Sequence, residues 1–196
     1  TSAVASVNGA DLVFSLRNQK PYVNNARITM TNILTTNGVI HIIDAVLLPP
    51  TGDIVDTAAA NPQFKALVAA VQAAGLVDTL KGEGPFTVFA PTDAAFAKLG
   101  KANLEALLKD PAQLQSILTY HVVAGKFYSG DILKRSSFTT VNGADLVFSM
   151  KNGLPYLNNA RIIMTDIVTT NGVIHVIDTV LLPPTKDIVD TAASDP

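Results

Sequence analysis

The sequence predicts an α+β protein: a mainly antiparallel β-sheet or sandwich with a cluster of helices packed against it. Three observations carry this reading. Apolar residues between positions 61 and 118 recur at helical spacing. Runs of β-branched residues follow after position 120. The β-rich pattern also occurs once more, ahead of the helices, at a constant offset of 134 residues.

The helical elements come first. Asn61–Pro62 is an N-cap followed by proline in the first turn, and Phe64, Leu67, Val68 and Val71 then lie on one face. Gly75 ends that helix. Pro85–Ala90 (PFTVFA) is a short buried strand. Thr92 caps a short helix with Asp93 in its first turn and Phe96 and Leu99 inward, and Gly100 stops it. Asn103 opens another turn through Leu104, Leu107 and Leu108. Asp110–Pro111 opens a last helix with Leu114, Ile117 and Leu118 on one side.

The strands follow. They are expected at Tyr120–Val123, Phe138–Val141, Leu146–Met150, Pro155–Leu157, Arg161–Val168 and Val173–Leu182. Asn171–Gly172 is a strong turn signal and Asn142–Gly143 a weaker one. Pro183–Pro184 closes the last strand, because proline cannot extend a ladder.

The repeat sets the domain organisation. Residues 6–62 and 140–196 align without a gap and share 43 of 57 residues. A period of 134 suits a whole domain rather than a solenoid unit. Residues 53–186 therefore make one complete unit, with helices supplied by its N-terminal part. Residues 1–52 are the strand-rich C-terminal part of a preceding repeat, and 187–196 are the start of a following one. The chain reads as a window on a tandem array.

Composition narrows the function. The 196 residues carry 14 basic and 16 acidic groups, a balance that does not suit a nucleic-acid partner. With no cysteine, a disulfide scaffold, a thiolate metal site and a cysteine nucleophile are all excluded. No apolar run approaches the ~20 residues of a membrane span. No stretch reads as a secretory leader, as expected of a mature or trimmed chain. Charged residues are only 15%, and 19 Thr with 13 Asn solvate the surface instead.

Four segments resemble a known family. PFTVFAPTDAAFAKL (Pro85–Leu99), ILTYHVVAGKF (Ile117–Phe127) and NGVIHVIDTVLLPP (Asn171–Pro184) resemble, in order and spacing, the signatures of the fasciclin domain. NGVIHIIDAVLLPP (Asn37–Pro50) resembles the last of them again. The resemblance implies a β-sandwich-like core with a helix cluster. It also implies an extracellular, often tandem cell-adhesion module, here similar to secreted bacterial or archaeal members. Such a protein acts through protein or glycan contacts, without turnover and without a cofactor. Pigment-binding members of the family make a binding module for an apolar small molecule the alternative.

Candidate chemistry is sparse. The three histidines are His41, His121 and His175, of which the first and last are copies of one position. No spacing suits a metal site. Thr92 and Ser129 lie outside any nucleophile elbow. Gly82–Pro85 is Gly-rich but is not followed by the lysine and helix of a phosphate cradle. Asp93 and His121 are expected to form a buried structural clamp. The resemblance makes Tyr120, His121, Asp166 and Ile167 adhesion-motif candidates, since matrix members carry Tyr-His and Asp-Ile pairs at the matching places. The plainer reading makes Ile167 core and Asp166 a solvated strand residue. The first copy has Asn32–Ile33 and so lacks the carboxylate.

The first 52 residues raise a separate question. Val39, Ile40, Ile42, Ile43, Val46 and Leu47 form an apolar face with no helices of their own to cover it. With Leu48 they represent about 10 kcal/mol of burial, at roughly 1.5 kcal/mol or more each. An assembly contact is expected there. It would form head to tail, across a two-fold axis, or by exchange with 138–184 for the same helices.

Overall fold

A computed structural model describes residues 3–17 and 19–184, so the expected start of a following repeat at 187–196 lies outside the described residues. The first strands are β1 (Ala3–Ala5), β2 (Asp11–Arg17), β3 (Lys20–Val23), β4 (Ala26–Leu34) and β5 (Val39–Ile43). They form one antiparallel sheet in sequence order. Helices α1 (Ile54–Ala59), α2 (Lys65–Ala73) and α3 (Val77–Lys81) lead into β6 (Phe86–Pro91). Next come α4 (Asp93–Ala97), α5 (Lys101–Lys109), α6 (Pro111–Tyr120), β7 (Val122–Ala124) and α7 (Ser129–Ile132). The last strands are β8 (Ser137–Thr139), β9 (Asp145–Lys151), β10 (Leu154–Leu157), β11 (Ala160–Val168) and β12 (Gly172–Ile177).

The second sheet has the order β7-β6-β12-β11-β10-β9-β8. Every pairing in it is antiparallel except β6 with β12. The sheet folds over on itself. Phe89 of β6 meets Phe138 of β8 at 6.4 Å between ring centroids, although the two strands are far apart in that order. Irregular register at Met164 on β11 supplies the bend. Leu146, Leu157 and Ile177 fill the enclosed space. The opposite face of β12, through Ile174 and Val176, packs against Leu67, Val71, Leu114 and Ile117 of the helices.

Several expected boundaries move. Tyr120 belongs to α6, because the Asp110-capped helix carries its apolar face through one more turn, with His121 as C-cap. The strand then starts at Val122. β8 stops at Thr139, before the turn around Asn142. β12 stops at Ile177, where its register with β11 ends at Ile162, yet Val180 and Leu181 stay buried beyond it. Three short helices escape the periodicity argument: α1, capped by Asp53, then α3 and α7. Each is too short to show an apolar stripe.

Strands β1 to β5 match β8 to β12 at the offset of 134, apart from one residue at the start of β12, and β4 and β11 share the same bulges. Their surroundings differ. β12 lies between β11 and β6, whereas β5 is an edge. The β6–β12 seam is very tight. A Cβ on Gly172 would lie 2.2 Å from the Phe86 carbonyl oxygen. Beside it, the Asn171 side chain accepts from the Ile54 N–H and donates to the carbonyls of Leu80 and Gly82. One amide thus ties α1 and the end of α3 to the strand.

Candidate interaction surfaces and buried histidines

Tyr120 and His121 close α6 with their side chains inward, at 1% and 2% exposure. The Tyr120 hydroxyl donates to the Asp145 carbonyl at 2.9 Å and accepts from Asn158 at 2.8 Å. The Leu181 N–H donates to Nε2 of His121 at 3.0 Å. The proton must then sit on Nδ1, which donates to the Ile117 carbonyl at 2.8 Å. Neither side chain offers surface to a partner.

The expected Asp93–His121 clamp does not form. Asp93 stands in the first turn of α4 and accepts from the Ala66 N–H at 2.8 Å, at the start of α2. That N–H lacks a partner within its own helix, so the carboxylate satisfies it and favours the helix dipole. His121 instead joins α6 to the segment after β12.

Asp166 is not a solvated strand residue either. It occupies a left-handed conformation (φ 63°) at the second bulge of β11. Its carboxylate accepts from both the N–H and the hydroxyl of Ser129, at the start of α7. Its own N–H donates to Nδ1 of His175 at 3.3 Å. Nε2 of His175 then donates to the Phe127 carbonyl at 2.8 Å, and the ring stacks on Phe89. The carboxylate is therefore consumed internally, and Ile167 packs half-buried against the helical core. Asn32 fits the matching site in the first copy, because asparagine tolerates positive φ (here 60°).

Burial pushes the pKa of His121 down from 6.5 to about 4. It also lowers that of His175, against the opposing charge of Asp166. Below pH 6.5 the unfolded chain therefore takes up protons that the folded chain refuses. Stability is intact above pH 6.5 and is lost as pH falls toward 4, by about 3 kcal/mol for His121 alone. Urea midpoints at pH 7 and pH 4.5 should differ accordingly, and a flat profile would contradict the buried neutral imidazoles.

A third cluster joins the two sheets. Oδ2 of Asp11 on β2 accepts from Lys126 at 2.9 Å and from the Tyr128 hydroxyl at 2.6 Å. Burial raises the Asp11 pKa, but these two donors outweigh it and hold it below 3.8. Burial and Asp11 together raise the pKa of Tyr128. Next to this latch, Val13 packs on Tyr128 and Val173 with 1% exposure. Sequence reasoning missed Asp11, Val13, Lys126 and Tyr128. Nothing in their local spacing reports a contact between residues more than a hundred positions apart.

The apolar face of the first sheet divides in three by comparison with its copy. Ile40, Ile42 and Val46 match Ile174, Val176 and Val180, which the helices cover. Ile43 and Leu47 match Ile177 and Leu181 of the folded-over core and remain half-buried. Val39 matches Val173, which the joint covers. Ile40 is 51% exposed where Ile174 is 0%.

Between helices and β12 the protein encloses a cavity of about 30 Å³ lined by Ile54, Leu67, Leu80, Leu118 and Ile174. This cavity is too small for a drug-sized ligand. Among the described residues no group of three or more metal-ligating side chains converges. No helix there is long and apolar enough to cross a membrane.

Comparison with known proteins agrees with this architecture. A Synechocystis protein, uncharacterized protein sll1735, is 48% identical over 130 residues, which cover 66% of this chain and 97% of that one. The cell surface glycolipoprotein MPB83 of Mycobacterium bovis is 43% identical over 141 residues, covering 68% of this chain and 62% of its own length. A solved FAS1 domain pair from the insect cell adhesion molecule fasciclin I shares the fold, with a TM-score of 0.58 at 23% identity. The alignment covers 88% of this chain and 67% of that one. The fasciclin domain matches residues 1–49 and 62–183, on the same strands, helices and signature segments described above, and the chain belongs to the fasciclin domain family.

Proposed function

We propose that the protein is an extracellular structural or adhesion protein built from tandem fasciclin repeats, working by contact with proteins or glycans and not by turnover. In this reading residues 1–52 end one repeat, 53–186 form the next, and 187–196 open another. The observation that carries it is the contrast between β5 and β12. Nearly the same residues are sealed by helices in one copy and stand bare in the other. Within these 196 residues the apolar face of β5 with Ile40 and Ile42, continued by Val46, is exposed and suited to association with the helical part of a repeat. The helical part of another repeat fits it, because that is what covers the twin face on β12.

Static light scattering tests this. The chain should give a mass above its 20.6 kDa, and Ile40→Asp with Ile42→Asp should return it to monomer. Neither substitution touches the helical core of 53–184. A strict monomer whose first sheet resists protease would overturn self-association through this face.

A further inference from the structure

We infer that Asp145 and Val147 on β9 form the docking site for a following repeat, which binds them through its own counterparts of Lys126, Tyr128 and Val173. The inference rests on the tandem reading and deepens it, because it assigns the joint between complete repeats to particular side chains.

The basis is the joint already present in the chain. Asp11 and Val13 sit two residues apart on β2 and therefore on one face, while Leu12 points the other way. The complete repeat shows what each face is for. Leu146, the copy of Leu12, is fully buried in that repeat's own core. Asp145 and Val147, the copies of Asp11 and Val13, face outward, with Val147 at 53% exposure. The first sheet thus docks through a face that a complete repeat leaves open, and the missing helices of the first repeat play no part in the contact.

The backbone of the two faces is held alike. The Val13 N–H donates to the Asn24 side chain at 2.8 Å and the Val147 N–H to that of Asn158 at 2.9 Å. β1 pairs with β2 in the same register as β8 with β9. The chemistry is also preserved. Among the described residues the latch uses only Oδ2 of Asp11, and the one side-chain bond at Asp145 comes from Thr139 to Oδ1. The receiving end agrees as well. Val173 is buried under Val13, whereas its copy Val39 is half exposed with no repeat docked upon it. The two faces differ where Ser137 and Thr139 replace Ala3, which packs against the joint, and Ala5.

The absence of cysteine gives a direct test. In the 196-residue chain Val147→Cys should react quickly with a thiol reagent and Val13→Cys slowly. The Val147→Cys chain is then extended by a second run of residues 63–184, which completes a following repeat. The introduced thiol should now react more slowly by about tenfold or more. Changing the added repeat's copies of Lys126 to Ala and Tyr128 to Phe should restore the fast rate. A folded, protease-resistant extension in which the thiol stays as reactive as before overturns the joint. It would leave adhesion through the β5 face standing, since Ile40→Asp with Ile42→Asp tests that separately. Should the extension not fold, the Val147→Cys chain is mixed with a Val13→Asp chain, whose own latch face is vacated, at roughly 1 mM, the effective concentration of a short linker. Slowed labelling supports the joint, and unchanged labelling overturns it.

Discussion

Gly172→Ala will destabilise the protein by about 3 kcal/mol or more, whereas Gly38→Ala, at the same place in the first copy, will change stability by no more than about 0.5 kcal/mol. A Cβ at 172 would meet the Phe86 carbonyl oxygen at 2.2 Å and Ile54 Cδ1 at 2.8 Å. The backbone oxygen cannot move away, because Gly172 pairs with Phe86 at the start of the β6–β12 ladder. At 38 the nearest atom is the Thr35 hydroxyl at 3.9 Å. Neither glycine needs positive φ, so packing alone separates the two variants. Thermal melts or urea titrations decide the matter. Equal effects would mean that β6 does not pass against β12 as described.

Val13→Asp will release the first sheet, and Val147→Asp will be near neutral. Val13 is sealed against Tyr128 and Val173, and a carboxylate there would lie desolvated and close to Asp11. Burying that unpaired charge costs roughly 3 kcal/mol, and undocking avoids the cost. Limited proteolysis should then cut rapidly within residues 1–52 while 53–184 stays intact. Val147 is mostly in water, so its charge costs little in the 196-residue chain. Resistance of the first sheet in Val13→Asp would show that the joint does not hold it in place.

Much of the architecture is legible because long elements show their period. The Phe64–Val71 stripe, the Asp110–Pro111 helix start and the β-branched run at Arg161–Val168 all lie where the spacing puts them. Short elements are not legible, since α1 and α7 are one to two turns long and owe their ends to Asp53 and Asp166. The parallel β6–β12 pair is hidden for another reason: alternation reveals a strand but not its neighbour. The site is harder to read. The apolar neighbours of His121 announce its burial, but chemical plausibility does not identify its partner. The carboxylate of Asp93 has a nearer claimant in the open N-terminus of α2. The joint leaves no trace at all, because Asp11 and Asp145 sit in the identical words VNGADLVFS and differ only in what lies across from them.

β12 comes last among the described strands and yet sits beside β6, which precedes it by the length of most of a domain. A ribosome delivers β5 before β6 and β12 long after. For that interval the strand of matching sequence among the described residues is the earlier copy, which differs from β12 over 172–177 at one position, Ile42 for Val176. A crossover from β5 through α1 to α3 into β6 is itself an ordinary right-handed connection between parallel strands. The β6–β12 ladder must therefore outlast or displace its own look-alike.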